Sequence, residues 1–470
     1  MRGGGTLLGV GIGYLKRDEA MSRFVTVNRD TAYLLPPSVD EWLPQEHLAR
    51  YVVEVVEALD LSAMTRSYAG RGSDAYHPAV LAALLIYGYA TGTYSSRKIE
   101  AATYDSLAFR YIAGNTHPDH DTLATFRKRF LAELKALFVQ VLLIARENRL
   151  LKLGHIALDG TKVKANASRH SALSYGHIRE LEKQLQGEVA ALLAKAEAAD
   201  TQEQARGLDI PAELARREER LARIREAKAK IEARAAEQHA LEQTEYETKR
   251  LAYEERRKRG GGGPPPSPPS GAIEDKAQVN LTDEDSRIMP LAGAGFEQCY
   301  NAQLGVDTAS RLIVITGLTQ SSVDKQQVVP ALTHIVAVAE ALEQAPQSLI
   351  TDNGFMSAAN VTACMQHAIA PLFAMGREKH HVSLDERFAP EPSTLAPEEA
   401  LAAMAHRLNT RTGKALYALR KSTVEPVIGI IKSVMGFDHF SLRGLVNVTG
   451  EWNLACLAYN IKRMHRLQRA

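Results

Sequence analysis

Between residues 178 and 259 the chain is built almost wholly from Ala, Glu, Lys, Arg and Gln, with very few β-branched residues. Such side chains lose little freedom in a helix. In AELARREERLARIREAKAKIEARAAEQ opposite charges recur three and four positions apart, where helical neighbours meet. The stretch predicts a long helical hairpin or coiled coil, interrupted near Pro211. GGGGPPPSPPSG at 260–271 ends it, a composition that builds no core and acts as a linker. Residues 174–271 therefore form an insertion, and any sheet must assemble from strands on either side of it.

Strand signals frame that insertion. HIALDG (155–160) reads as a short apolar strand ending in Asp159. After the linker, QCYNAQLGVDTASRLIVITGLTQ (298–320) reads as two strands joined at DTAS, a hairpin. DKQQVVPALTHIVAVAEALEQ is a helix, SLITDNG a strand ending in Asp352, SAANVTACMQHA a helix and IAPLFAM a strand. The remainder is mainly helical, including ALYALRKSTVEPVIGIIKSVMG and TGEWNLACLAYNIKRMHRLQ, where Trp452 and Tyr459 read as core. The order predicts an α/β fold with a mixed sheet and helices around it.

At 470 residues the chain is long enough for more than one domain. Residues 22–150 are predicted to be a helical domain and 151–470 a second domain that carries the insertion. The opening MRGGGTLLGVGIGYLKRDEA reads as a disordered leader over 1–21, with Met21 as an alternative start. At 45% hydrophobic and 24% charged the composition is that of a soluble globular protein. The net charge of +2 neither demands nor excludes a nucleic-acid partner, since local patches decide that. No apolar run reaches the roughly 18 residues of a membrane span. The isolated Cys299, Cys364 and Cys456 form no CxxC pair, which argues against a structural zinc site or disulfide framework and fits a reducing cytoplasm. His380–His381 has no evident metal partner.

In the first half, HPAVLAALLIYGYATGTYSSRKIEAATYDSLAFRYIAG reads as a helix, a glycine-bearing turn and a second helix, capped by Ser95 or Ser96, with Arg97 and Lys98 near its start. That is the pattern of a helix-turn-helix, or of an ordinary helical hairpin. The following amphipathic helix carries Arg127, Lys128 and Arg129, which suit either phosphates or a solvated face.

Two strands ending in Asp159 and Asp352 would bring two carboxylates together beyond the strand ends, where α/β folds gather ligands. Like charges so close call for a cation, and Mg²⁺ takes hard oxygen donors. Glu425 in YALRKSTVEPVIGIIK is the candidate third acid, with Lys421, Lys432, Tyr417 and Arg420 near it if the segment is helical. Each acid also has a plainer reading. Asp159-Gly160 suits a hairpin tip, Asp352-Asn353-Gly354 a turn, and Ser422-x-x-Glu425-Pro426 a helix start.

Taken together, LDGTKVKANAS, TDEDSR, YNAQLGVD, TDNGF and YxLRKxxVEPVxGxIK resemble the DDE transposases of bacterial insertion sequences. The front half, with HPAVLAALLIYGYATGTYSSRKIE and HPDHDTLATFRKRF, is similar to the InsH-like N-terminal domain of that group. The resemblance spans about residues 22–465. It implies an RNase H-like core and Asp159, Asp352 and Glu425 as catalytic, metal-holding residues. It implies two Mg²⁺ ions, replaceable by Mn²⁺, and DNA strand cleavage followed by strand transfer. Lys162, Lys164, Tyr417, Arg420 or Lys421, and Lys432 would serve the phosphates, with Arg97, Lys98, Arg127, Lys128 and Arg129 on the N-terminal helices. Partners would be double-stranded DNA, at terminal inverted repeats and target, and further copies of the chain in a homodimer or larger assembly. One departure is notable: Arg420 stands five positions before Glu425, whereas Lys421 has the family's usual spacing. A DNA-binding relic or a nuclease that cuts without joining are the alternative readings.

Overall fold

The computed structural model describes residues 38–68, 75–168, 171–201, 210–260, 262–291, 293, 295–376 and 399–469. The leader 1–21 and the His380–His381 pair lie outside them.

Among the described residues seven α-helices come first: α1 (Leu48–Glu57), α2 (Ser62–Arg66), α3 (Pro78–Thr91), α4 (Ser96–Asp105), α5 (Leu107–Ile112), α6 (His120–Arg129) and α7 (Leu131–Glu147). α3 is apolar on every side, and so it is buried without a break from Leu81 to Ala90. Gly92 closes it at φ 86°, a left-handed turn that leads to α4. Ser95 takes the cap position of α4, but its hydroxyl makes no capping bond.

The sheet follows. β1 (His155–Lys164), β4 (Arg287–Leu291), β5 (Gly295–Asp307), β6 (Ile313–Thr319), β7 (Ser348–Thr351) and β8 (Ala370–Phe373) form it, in the order β4-β5-β1-β7-β8 with β6 also on β5. β1 is antiparallel to β5 and parallel to β7, which is parallel to β8. The β5–β6 turn is tied by Asp307, whose carboxylate accepts from the backbone N–H and hydroxyl of Ser310 at 2.8 and 2.7 Å. α10 (Val328–Leu342), α11 (Ala358–Gln366), α12 (Ala400–Asn409), α13 (Arg411–Gly429) and α14 (Leu445–Leu467) complete the unit.

One continuous apolar core joins the early helices to the sheet, from Leu84 and Phe138 through Ile156 and Leu304 to Trp452 and Leu457. α14 is the connector, packed against α3, α7 and β6. Trp452 and Tyr459 lie inside it, 1% and 3% exposed. A buried polar chain crosses the same seam: Arg127 Nη1 donates to Tyr89 Oη at 3.0 Å, and Tyr89 donates to Glu451 at 2.9 Å. Glu451 also accepts from the backbone of Ser441 and Leu442.

The insertion folds as expected into a helical pair, α8 (Tyr175–Thr201) and α9 (Ile210–Lys258), with Pro211 in the first turn of α9. The pair has a small core of its own, formed by Ile178, Leu185, Leu221, Ile224, Ala227, Ile231 and Val279. Val279 comes from β3 (Gln278–Asn280), which pairs with β2 (Ala172–Ser174) at the root. The Gly/Pro segment is not a slack tether. Gly263 lies beside Arg256 and Gly271 beside His239, so the segment returns along α9. A polyproline-type chain covers about 25 Å over that stretch, matching the roughly 25 Å rise of the helix beside it.

Candidate active site

Asp159 does not end its strand. β1 continues through Gly160 to Lys164, paired with β5 from Ile156↔Asp307 to Lys164↔Cys299. The Asp-Gly pair is thus strand interior and not a hairpin tip. The reason is β5, whose 13 residues supply hydrogen-bond partners well past the acid. β7 pairs with β1 only as far as Ala157↔Ile350. Continuing that register sets Asp159 beside Asp352, at the point where β7 leaves the sheet. Asp352 is itself the cap of a short 3₁₀ turn over Asn353–Phe355, accepting from Gly354 N at 2.9 Å.

Glu425 is not a helix start. α13 begins fourteen residues earlier at Arg411, with Thr410 as its cap, and Pro426 sits in the helix interior. Proline has no N–H to give, and the helix passes from Gly429 into a π turn over Ile430–Val434.

Arg420 joins the acids. Its Nη1 stands 3.2 Å from Asp159 Oδ2 and its Nη2 3.2 Å from Glu425 Oε1. Helical spacing alone favoured Lys421 as Glu425's companion, yet Arg420 makes both contacts. Lys421 is exposed and lines a shallow groove with Leu408, Lys414, Tyr417 and Ala418. The Asp159 carboxyl is pushed up to about 6, chiefly by burial and then by the charge of Asp352; Gly160's N–H and Arg420 pull the other way. Negative charge here exceeds what the guanidinium neutralises. Two aspartates and a glutamate are hard oxygen donors, and such a surplus fits a divalent cation. Among the described residues no three His, Cys, Asp or Glu side chains stand close enough to enclose one ion, and Arg420 pairs with both Asp159 and Glu425.

The other predicted cations divide. Lys162 and Lys164 alternate with Asp159 along β1, so they point to the opposite face from it. Lys162 reaches Asp324 at 3.7 Å. Lys432 donates to the Lys162 carbonyl at 2.6 Å, and burial lowers its pKa. Arg97, Lys98, Lys128 and Arg129 are exposed on α4 and α6. Arg127 is a correction: it is 7% exposed, with its guanidinium spent on Tyr89 and on the Tyr94 carbonyl, so it does not present its charge to a phosphate. Sequence reading passed over Asn301, Gln303 and Asp324, which gather beneath Gly160. The two amides spaced two apart in YNAQ were the signal, since a strand puts such residues on one face.

The architecture is that of a mixed α/β protein with an acidic, arginine-bridged cluster where a parallel strand leaves the sheet. Residues 37–129 match the family model described as Transposase domain (DUF772), and residues 389–465 match the model described as Transposase DDE domain. The two matches, each over a part of the chain, support a DDE transposase of insertion-sequence type. Arg420 and Glu425 fall inside the second match; Asp159 and Asp352 lie outside both. No curated protein and no solved structure matches the chain. No helix among the described residues is long and apolar enough to cross a membrane.

Proposed function

We propose that the chain binds the ends of its insertion sequence and carries out divalent-metal-dependent cleavage and transfer of DNA strands. The observation that carries this reading is the Arg420 guanidinium drawn between Asp159 and Glu425, with Asp352 beside Asp159. The antiparallel β6-β5-β1 run continued by parallel β7 and β8 supports an RNase H-like core.

In this reading Asp159, Asp352 and Glu425 hold Mg²⁺, two ions in the working complex, with Mn²⁺ as a substitute. When bound, the ions activate a water or a 3′-hydroxyl and stabilise the leaving oxygen of an in-line displacement. The chain's own residues do the rest. Arg420 offers a planar two-pronged donor to the scissile phosphate. Tyr417 and Lys421 line the groove that takes the neighbouring backbone. Lys432 keeps β1 in place through the Lys162 carbonyl, and Lys162 and Lys164 add positive charge near the strand's end. The exposed Arg97, Lys98, Lys128 and Arg129 meet phosphates of the terminal inverted repeats, so end binding weakens as salt rises. Cutting two ends together calls for at least a homodimer on DNA, acting at the nucleoid in the cytoplasm.

The test is mobilisation of a marked element in cells, beside end-DNA binding and strand-product analysis in vitro. Wild type should mobilise the marker. Asp159→Ala, Asp352→Ala and Glu425→Ala should abolish cleavage while end binding persists. A fully active variant removes that acid from the site. Wild type that binds ends without cutting would be a DNA-binding relic, and cutting without joining would define a nuclease.

A further inference from the structure

The distal half of α9 is a long exposed element that the proposed mechanism leaves unused. α8 begins opposite Glu232, where Tyr175 Oη donates to the Glu232 carboxylate at 2.9 Å, and the core of the pair reaches no further along α9 than Ile231. From there α9 runs on without α8 to Lys258, a distance of roughly 40 Å. The Gly/Pro segment braces one side of this arm. His239, Tyr246 and Tyr253 stand seven apart on that side and are half-buried, while the positions around them are exposed. Tyr253 Oη donates to the Gly263 carbonyl at 3.2 Å, and Gly260 follows the helix in a left-handed turn at φ 79°. Brace and turn together keep the end of the arm from fraying.

Charge along the arm is segregated. From Glu237 to Glu247 there are four glutamates and no Lys or Arg. From Lys249 to Arg259 there are six cations and two glutamates. Nearer the root, cations pair with acids: Arg217 with Glu188 at 3.0 Å, Lys228 with Glu182 at 2.8 Å, and Lys230 with Glu226 and Glu284 at 2.8 and 2.6 Å. Lys249 and Arg250 pair with Glu245 and Glu254. Arg256, Arg257, Lys258 and Arg259 are exposed, and none makes an ion pair among the described residues. The C-terminal end of a helix carries only about half a negative charge, too little to offset four cations. Successive positions fan out around the helix end. That spread suits a surface of repeated negative charges, as a duplex presents along its backbone, better than any single carboxylate. The glutamates behind the tip repel the same surface and confine contact to the tip.

We propose that Arg256, Arg257, Lys258 and Arg259 form a sequence-independent contact with the backbone of duplex DNA, held roughly 40 Å from the root of the insertion. The proposal rests on the reading of this chain as a DNA-binding transposase. Guanidinium and ammonium groups meet phosphates alike in any sequence, so the contact adds affinity and reach without choosing a site.

The experiment measures binding of the full-length chain to two duplexes, one carrying the element's end and one of scrambled sequence, by fluorescence anisotropy across about 50–200 mM salt. Thermal melts and sedimentation run alongside. In the variant Arg256→Ala, Arg257→Ala, Lys258→Ala, Arg259→Ala, affinity for both duplexes should fall about tenfold, and the salt slope should shrink by about two, since each lost phosphate contact removes about 0.9. The melting temperature should not move. The variant Arg256→Lys, Arg257→Lys, Arg259→Lys keeps the charge and should bind like wild type; an equal loss there means packing and not charge, and overturns the proposal. Should the alanine variant melt early, Arg257→Gln with Lys258→Gln leaves Arg256 beside Gly263 and decides by the same slope. Unchanged affinity and slope in the alanine variant, while Arg97→Ala with Lys98→Ala weakens binding, overturns the proposal and leaves the DNA reading standing. A changed subunit count with the slope unmoved makes the tip a contact between copies, and overturns it too. If wild type binds neither duplex, the DNA reading itself has failed.

Discussion

In the folded chain Asp159 ionises less readily than a free aspartate, and this links the acidic site to stability. Its folded value of about 6 lies above the ordinary 3.8. The stability tied to its protonated form is therefore complete below about pH 4 and lost as pH rises through 6. Metal-free wild type should lose thermal stability across that window relative to Asp159→Asn, whose curve lacks this contribution. Parallel curves for the two proteins would show that the strain is absent. Gly160→Ala is a second test at this scale. Its new methyl group meets Asp324 and the Gln303 amide, both 2.6 Å from the added carbon. Overpacking of this kind costs about 1–3 kcal/mol, readable by urea denaturation. An unperturbed midpoint would mean that the cluster gives way freely.

At the scale of elements, the helical pair α8–α9 is legible in the sequence because its composition leaves no alternative to helix. Where its apolar stripe packs is less legible, since Ile178, Leu185, Leu221 and Ile224 are scattered among charges and find Val279 only through the fold. Ile224→Ala should remove about 2–5 kcal/mol from this local core. Hydrogen exchange should quicken within 175–258 and stay unchanged in β1 and β5. Equal loosening of the sheet would show that the pair is part of the main cooperative unit. β1 shows the opposite limit. HIALDG reads as a strand that stops at its acid, yet the strand runs on to Lys164 because β5 offers it partners. Hydrogen-bond supply from a strand more than a hundred residues away is not encoded in local periodicity. Likewise Ser422-x-x-Glu425-Pro426 has the local chemistry of a helix start, and α13 overrides it by having begun at Arg411.

For the whole molecule, the shared core and the Arg127–Tyr89–Glu451 chain join the early helices to the sheet. Calorimetry should give one transition for helices and sheet together. Tyr89→Phe removes the hydroxyl between a buried guanidinium and a buried carboxylate, and should lower stability by about 1–3 kcal/mol within that single transition. Two separated transitions, with only the earlier one moved, would show that the helices melt on their own.

The sequence by itself determined β1, the β5–β6 hairpin at DTAS, β7 and β8 with the helices between them, the helical insertion and the three acids worth testing, because each rests on periodicity, turn chemistry or a local pattern; the short strands β2, β3 and β4 have no such signal. Tertiary structure alone decided that Arg420 and not Lys421 meets the acids, that Arg127 faces inward, and that Asn301, Gln303 and Asp324 converge under Gly160. Those outcomes depend on which distant surfaces share one volume, and burial and charge are properties of that volume rather than of any short stretch of chain.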